Sequence, residues 1–173
     1  MALDRIDFEI LAALQNDART PNKALAHRVG LAPSSCLERV RALHRSGVLK
    51  GHHAEVAPAA FGIGLEALVA VRLVRHRREV FRALYAHLRS LPEVLAVFHV
   101  SGVNDLQLHV AVRDIQHLRD LIVEKIATRT EVDHCETSVI YELHRKHGLP
   151  CYVAQDGGPG SPKRRRRVAP ARS

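Results

Sequence analysis

The sequence predicts an α+β chain: an N-terminal winged-type helix-turn-helix domain joined by a linker to a C-terminal βαββαβ ferredoxin-like sandwich. Three observations carry that reading. Residues 4–50 hold three short apolar stripes at helical spacing, separated by turn residues and a glycine. Residues 65–145 alternate β-rich and helical segments in the order β-α-β-β-α-β. Between them lies an extended stretch punctuated by glycine and proline.

The first stripe is Ile6, Ile10, Leu11 and Leu14, at i, i+4, i+5 and i+8. Asp4 and Asp7 lie in its first turn, where the helix dipole favours negative charge, and Asn16-Asp17 ends it. Thr20 is expected to cap a second helix with Pro21 at its first position. That helix runs through Arg28 with Leu25 and Val29 inward, and Gly30 supplies the tight turn. A third helix is expected from Ala32-Pro33-Ser34 to about Ser46, with Leu37, Val40 and Leu43 inward and Gly47 stopping it.

Two short helices around a glycine turn, the second with a polar start and arginines along it, form a helix-turn-helix pattern. A helix entering a major groove needs small polar residues first, to reach base edges, and cations later, to meet phosphates. Ser34, Ser35 and Cys36 suit the first task, and Arg39, Arg41 and Arg45 the second. Ser34 or Ser35 is expected to cap the helix as well, and Cys36 to be a structural or groove-facing residue. Glu38 is read as pairing with an arginine or accepting from a cytosine. The next stretch, VLKGHHAEVAPAAFGIG, reads as a strand plus linker, with Lys50 and His52 available for backbone contacts.

In the C-terminal part LEALVAVRLV is a strand, and REVFRALYAHLRSL places Phe81, Leu84, Tyr85 and Leu88 at helical spacing. EVLAVFHV is extended. DLQLHVAV puts Leu106, Leu108, Val110 and Val112 on one face, a clear period-two strand. IQHLRDLIVEKIAT places Ile115, Leu118, Leu121, Ile122 and Ile126 on a helical stripe, and CETSVIYEL is the last strand. Such a sheet carries both helices on one face, so its other face is expected to meet a second copy.

Composition sets bounds on function. The chain has 173 residues, 46% apolar and 25% charged, as expected of a globular protein. No apolar run approaches the roughly 20 residues that span a membrane. Asp4, Asp7 and Glu9 stand where a secretory signal wants a basic start. A cytoplasmic setting is expected. The three cysteines, Cys36, Cys135 and Cys151, are far apart and suggest neither a disulfide framework nor a zinc site. The 12 histidines show no ligand spacing, so no metal and no cofactor is expected. His99 and His109, on neighbouring strands, read as partly buried histidines, and nothing pairs a nucleophile with a base. The chain is not expected to be an enzyme.

The net charge is +8. Residues 155–173, with Lys163, Arg164, Arg165, Arg166, Arg167 and Arg172 against Asp156, contribute +5 of it. That Gly-, Pro-, Ser- and Arg-rich tail is expected to be disordered and to favour polyanions. The expected domains are therefore 1–50, DNA-binding; 51–64, a linker strand; 65–150, the sandwich; and 151–173, the tail.

Three stretches, LDRIDFEILAALQNDAR, LAHRVGLAPSSCLERVRALHRSGVLKG and VSGVNDLQLHVAV, resemble the leucine-responsive regulatory protein/AsnC (Lrp/AsnC) family of bacterial transcription regulators. With the element order, the resemblance covers roughly residues 3–145. It implies dimers formed through the C-terminal domains, commonly assembling to octamers, and an amino acid or related metabolite bound between neighbouring domains. It places the helix-turn-helix on Asn22 to Arg41, which adds Asn22 and Lys23 to the DNA-contacting set. It places the effector loop on Ser101, Gly102, Val103, Asn104 and Asp105, and a cleft-lining position on Thr137. The chemistry fits: an effector's ammonium group wants a carboxylate, and its carboxylate wants backbone N–H groups in a tight loop. Two features depart from the family: Asn104 and Leu106 flank Asp105 where an aromatic residue is common, and the Arg-rich tail is foreign to it. The resulting expectation is a sequence-specific regulator of transcription responsive to a small metabolite. The competing one is a nucleoid-type architectural DNA-binding protein without an effector.

Overall fold

The computed structural model describes residues 3–74, 78–146 and 148–153, and the chain divides into two compact units. One spans Met1–His53 with Arg145–Ser173, the other Ala54–His144. The basic tail from 155 onward lies outside the described residues.

The N-terminal unit is built on α1 (Arg5–Asn16), α2 (Asn22–Arg28) and α3 (Pro33–Arg45). A capping box starts α1: Asp4 Oδ1 accepts from the Asp7 N–H at 2.9 Å, and Asp7 Oδ2 from the Asp4 N–H at 3.1 Å. Thr20 does not cap α2. Its hydroxyl turns back and donates to the Asp17 carbonyl at 2.8 Å, and Pro21 stands at the cap position with no side-chain bond. Gly30 takes the left-handed φ of 68° that lets the chain reverse, and the Leu31 N–H then bonds the Ala26 carbonyl.

On α3 the inward set differs from the expected one. Cys36 and Leu43 are fully buried and Val40 half-buried, whereas Leu37 is 37% exposed. The buried positions are i, i+4 and i+7, and cysteine serves there as a small hydrophobe. Together with Ile10, Ala13, Leu14, Leu25, Ala26 and Val29 they form one core. Neither Ser34 nor Ser35 caps α3: Ala32 holds the cap position and Pro33 the first helical one. Among the described residues no strand lies between α3 and Leu65, so the expected wing and the expected linker strand are absent. Residues 51–57 run without regular structure, and Pro58–Phe61 forms a 3-10 turn.

The second unit contains β1 (Leu65–Leu73), α4 (Arg78–Ser90), β2 (Val94–His99), β3 (Leu106–Val112), α5 (Ile115–Asp120, continuing in π-helical turns over Leu121–Ala127) and β4 (Val132–Val139). Its four-stranded antiparallel sheet has the order β2-β3-β1-β4, the ferredoxin-like arrangement. Ala67, Val69, Val71 and Leu73 of β1 and Leu106, Leu108, Val110 and Val112 of β3 pack against Leu84 and Leu88 of α4 and Leu118, Leu121 and Ile126 of α5. Each of the Val, Leu and Ile side chains removed from water stabilises the fold by about 1.5–3 kcal/mol. Ile115, expected in this core, is 64% exposed at the first position of α5. The π turns bring residues five apart, Leu121 and Ile126, onto the buried face, which a 3.6-residue period does not.

The registers place Glu66, Leu68, Ala70, Arg72, Gln107, His109, Glu136 and Phe98 on the other face of the sheet. Phe98 is 50% exposed there. His109 Nε2 lies 2.6 Å from Glu66 Oε2 on that face, while His99 packs on Phe81 of α4 on the opposite one. Gly64, just before β1, sits where a Cβ would come 2.4 Å from the Arg113 carbonyl oxygen, so the approach of these two segments requires glycine.

Candidate DNA-binding and effector sites

Successive residues of a helix advance by about 100°. On α3 that step puts Ser34, Glu38, Arg41 and Arg45 on one outward stripe, all exposed. Arg41 Nη1 donates to Glu38 Oε1 at 2.7 Å, both side chains being about 60% exposed. Ser35 is exposed beside the stripe, Lys23 is exposed in the first turn of α2, and Lys50 is exposed beyond α3. Asn22 has an internal partner: its Nδ2 donates to the Pro33 carbonyl at 2.8 Å and ties the start of α2 to the start of α3.

Two residues of the expected DNA-contacting set point elsewhere. Cys36 is 0% exposed in the helical core, which removes it from any groove-facing role. Burial pushes its thiol pKa up, as it does that of Cys135. Arg39, expected on the phosphate-facing side, turns toward α1. Its Nη1 donates to Asp4 Oδ2 at 2.7 Å and to Asp7 Oδ1 at 2.9 Å. Asp7 is nearly buried, and the Asp7 backbone N–H, then Arg39, hold the Asp4 carboxyl below its ordinary range. Arg39 thus joins α3 to the start of α1. Sequence reasoning saw Asp4 and Asp7 only as dipole partners, and the contact spans 35 and 32 residues, beyond the reach of a local pattern.

In the second unit Ser101, Gly102, Val103, Asn104 and Asp105 form the turn between β2 and β3. Gly102 has φ 123°, a backbone state that L side chains rarely adopt, and Val103 is 79% exposed at the tip. Asp105 is fixed by its surroundings. Its Oδ2 accepts the Leu73 N–H at 2.8 Å where β1 bulges out of register, and its own N–H donates to the Val71 carbonyl at 3.0 Å. Thr137 lies elsewhere, paired with Val69 on β4, and lines an apolar cleft of about 320 Å³ with Ile115, Gln116, Leu118, Arg119, Ile122 and Val123. No residue of the 101–105 turn lines that cleft, so a single chain does not bring the two expected parts of the effector site together.

Comparison with known proteins agrees with both halves of this geometry. Residues 3–44 match the AsnC-type helix-turn-helix domain, and residues 66–150 match the Lrp/AsnC ligand binding domain. The chain belongs to the Lrp/AsnC family. It is 45% identical to the HTH-type transcriptional regulator AldR of Mycolicibacterium smegmatis, over 81% of this chain and 82% of that protein. It is 38% identical to the leucine-responsive regulatory protein of Salmonella typhimurium, over 81% and 85%. The crystal structure of a Neisseria meningitidis transcriptional regulator in complex with L-Met superposes with a TM-score of 0.80 at 28% identity, covering 86% of this chain and 97% of that one.

This Lrp/AsnC chain is therefore a helix-turn-helix transcriptional regulator with a ligand-binding domain. Among the described residues no group of His, Cys, Asp or Glu is placed to hold a metal, and no helix is long and apolar enough to cross a membrane. Ser34, Glu38 and Arg41 of the exposed α3 stripe and the strained turn at Gly102 each fall inside the matching family domain, and Arg45 stands one residue past it.

Proposed function

We propose that this protein binds defined DNA sites through the outward stripe of α3 and that an amino acid or related small metabolite alters its assembly or its DNA binding. The observation that carries the DNA half is the stripe itself: Ser34, Glu38, Arg41 and Arg45 exposed on one side of a helix whose opposite side packs into the core through Cys36, Val40 and Leu43. Side chains of this length, polar first and cationic last, meet base edges and then phosphates. Lys23 and Lys50 add backbone contacts, Ser35 supports the reading end, and Asn22 and Arg39 hold the helix in place.

The effector half is supported by the ligand-binding domain and by two relatives, one named for its response to leucine and one solved with L-Met. The Ser101–Asp105 turn supplies backbone N–H groups and a carboxylate, and Thr137 supplies a hydroxyl beside an apolar cleft. Because one chain holds these groups apart, the complete site is formed between subunits. The sheet face bearing Phe98 and His109 packs on a second copy, and such dimers assemble further, commonly to octamers. A dimer sets two α3 helices at a fixed spacing, so its sites have dyad symmetry. The effector shifts the balance of assembled states only by its differential affinity for them.

A thermal-shift screen against the twenty amino acids, followed by DNA footprinting with and without the hit, tests this. One class of amino acid should raise the melting temperature, because a ligand bound only by the native state stabilises it. Protection should fall at defined sites phased by about 10 base pairs. The charge of residues 155–173 favours a second reading, an architectural protein. Uniform protection insensitive to every amino acid would decide for it.

A further inference from the structure

The stripe on α3 carries an acid where a polyanion must approach. Glu38 lies at its centre, one turn after Ser34 and one turn before Arg41, with 61% of its side chain exposed. Phosphates repel a carboxylate, so on DNA it is either a liability at every sequence or finds a hydrogen-bond donor. The donors that a major groove offers are the N4 amino group of cytosine and the N6 amino group of adenine. The neighbour decides between them. Arg41, three residues on, is the cation nearest Glu38 and already donates to it at 2.7 Å. The groove partner that suits a guanidinium fork is the O6/N7 edge of guanine. Guanine and cytosine present these acceptors and that donor side by side in one base pair, matching the side-by-side placement of residues three apart on a helix, roughly 5–6 Å between Cβ atoms.

Granted that α3 is the DNA-reading helix, we infer that Glu38 and Arg41 together read one G·C base pair in each half-site. Arg41 donates to guanine O6 and N7 while Glu38 accepts from the cytosine N4 amino group. In free protein the two side chains satisfy each other. An exposed pair of this kind is weak and opens readily. Arg39 does not compete, because Asp4 and Asp7 hold its guanidinium on the far side of the helix. Arg45 is one turn farther on, about 6 Å along the axis, and meets the phosphate backbone. The acid therefore acts as a specificity element: it rewards the cytosine amino group and penalises guanine and thymine at that position, while Arg41's demand for guanine opposite disfavours adenine.

The test uses the full chain. Selection from a random duplex library defines the preferred site. Wild type, Glu38→Ala, Glu38→Gln and Arg41→Ala are then titrated against that site and each single-base-pair variant. Wild type should discriminate against replacement of one G·C pair by roughly 5- to 150-fold. Glu38→Ala should reduce that ratio to about twofold or less at this pair, leave the ratios at other positions unchanged and leave the melting temperature unchanged. Glu38→Gln should fall between, since its amide still offers an oxygen, and Arg41→Ala should lose discrimination at the same pair. Tighter binding of Glu38→Ala to every sequence alike, with the profile intact, would mark Glu38 as a merely repelling surface acid and overturn the inference. Discrimination lost at an A·T pair would overturn the assignment to cytosine. The DNA-reading role of α3 fails separately: then wild type selects no sequence, or its full profile survives replacement of Ser34, Glu38, Arg41 and Arg45 together by alanine.

Discussion

Replacing Arg39 by alanine should unlatch α3 from α1, and the cost can be worked out from the contacts. The substitution removes two charged hydrogen bonds, at 2.7 Å to Asp4 and 2.9 Å to Asp7. The first is half exposed and contributes little. The second ends on a carboxylate whose side chain is 7% exposed. Hydrogen bonds to charged groups contribute about 1.5–3 kcal/mol, and a nearly buried carboxylate that loses its cation adds a desolvation penalty. With Arg39 itself one-third exposed, a loss of about 2 kcal/mol is expected. At about 4–8 °C per kcal/mol for a small domain, the melting transition of the N-terminal unit should fall by roughly 10 °C. Urea unfolding and calorimetry of the full chain measure it, with Arg41→Ala as the exposed control, expected below about 0.5 kcal/mol. The Arg39→Ala/Asp7→Asn double variant should recover part of the loss, since no charge is then stranded. The pH dependence has a definite sign. The Asp4 pKa is lowered from an ordinary value of 3.8, first by the Asp7 N–H and then by Arg39. Its stabilisation is full above that value and is lost as pH falls through the lower folded one. Arg39→Ala should shrink this acid-side loss. A cost equal to that of Arg41→Ala, with the acid limb unchanged, would refute the latch.

Three further outcomes follow from the geometry. Asp105→Asn keeps an oxygen for the Leu73 N–H but loses the charge, so it should melt near wild type and bind DNA while no longer responding to the effector; Asp105→Ala should also lose about 1–3 kcal/mol, because that buried N–H is left unpaired. Gly102→Ala meets no neighbouring atom, yet φ 123° strains any L side chain, so thermal unfolding should show a cost of about 1–3 kcal/mol without a packing defect. Truncation after Ala154 removes the cationic tail and should weaken binding alike for all sequences; the slope of log K against log salt should flatten by several units in fluorescence anisotropy titrations.

The fold was legible wherever a period ran long enough to be counted. Leu106, Leu108, Val110 and Val112 alternated in the sequence and are all buried on one face of β3. The order of six elements around them sufficed for the sheet topology. Errors came where local patterns were degenerate. On α3 both Leu37 and Cys36 offered an apolar residue before Val40 and Leu43, and only the packed domain shows that the smaller one is inside. The stripe on α5 was counted from the helix's first residue, but Ile115 at that position is 64% exposed and the buried face begins at Leu118. The wing and the linker strand were expected from the extended, glycine- and proline-punctuated stretch that begins at Val48, but a strand exists only where a partner pairs with it. The sites divided in the same way. Ser34, Arg41 and Arg45 were readable because helical spacing alone puts them on one face. The Arg39 latch was not, since Asp4 and Asp7 reach it only through tertiary structure. Thr137 and the 101–105 turn were joined into one site by the family resemblance alone, and they occupy different parts of the sheet, β4 and the β2–β3 turn.

The central claim, that one chain couples sequence-specific DNA reading by α3 to a small effector, is tested most directly by one comparison. The affinity of the full protein for its selected duplex and for a scrambled duplex of equal length is measured at fixed salt, with and without the amino acid that stabilises it. The expected result is a preference of about 10³-fold or more for the selected site, with a several-fold change on adding that amino acid and none on adding a non-stabilising one. Equal affinity for both duplexes, unmoved by any amino acid, would contradict the account.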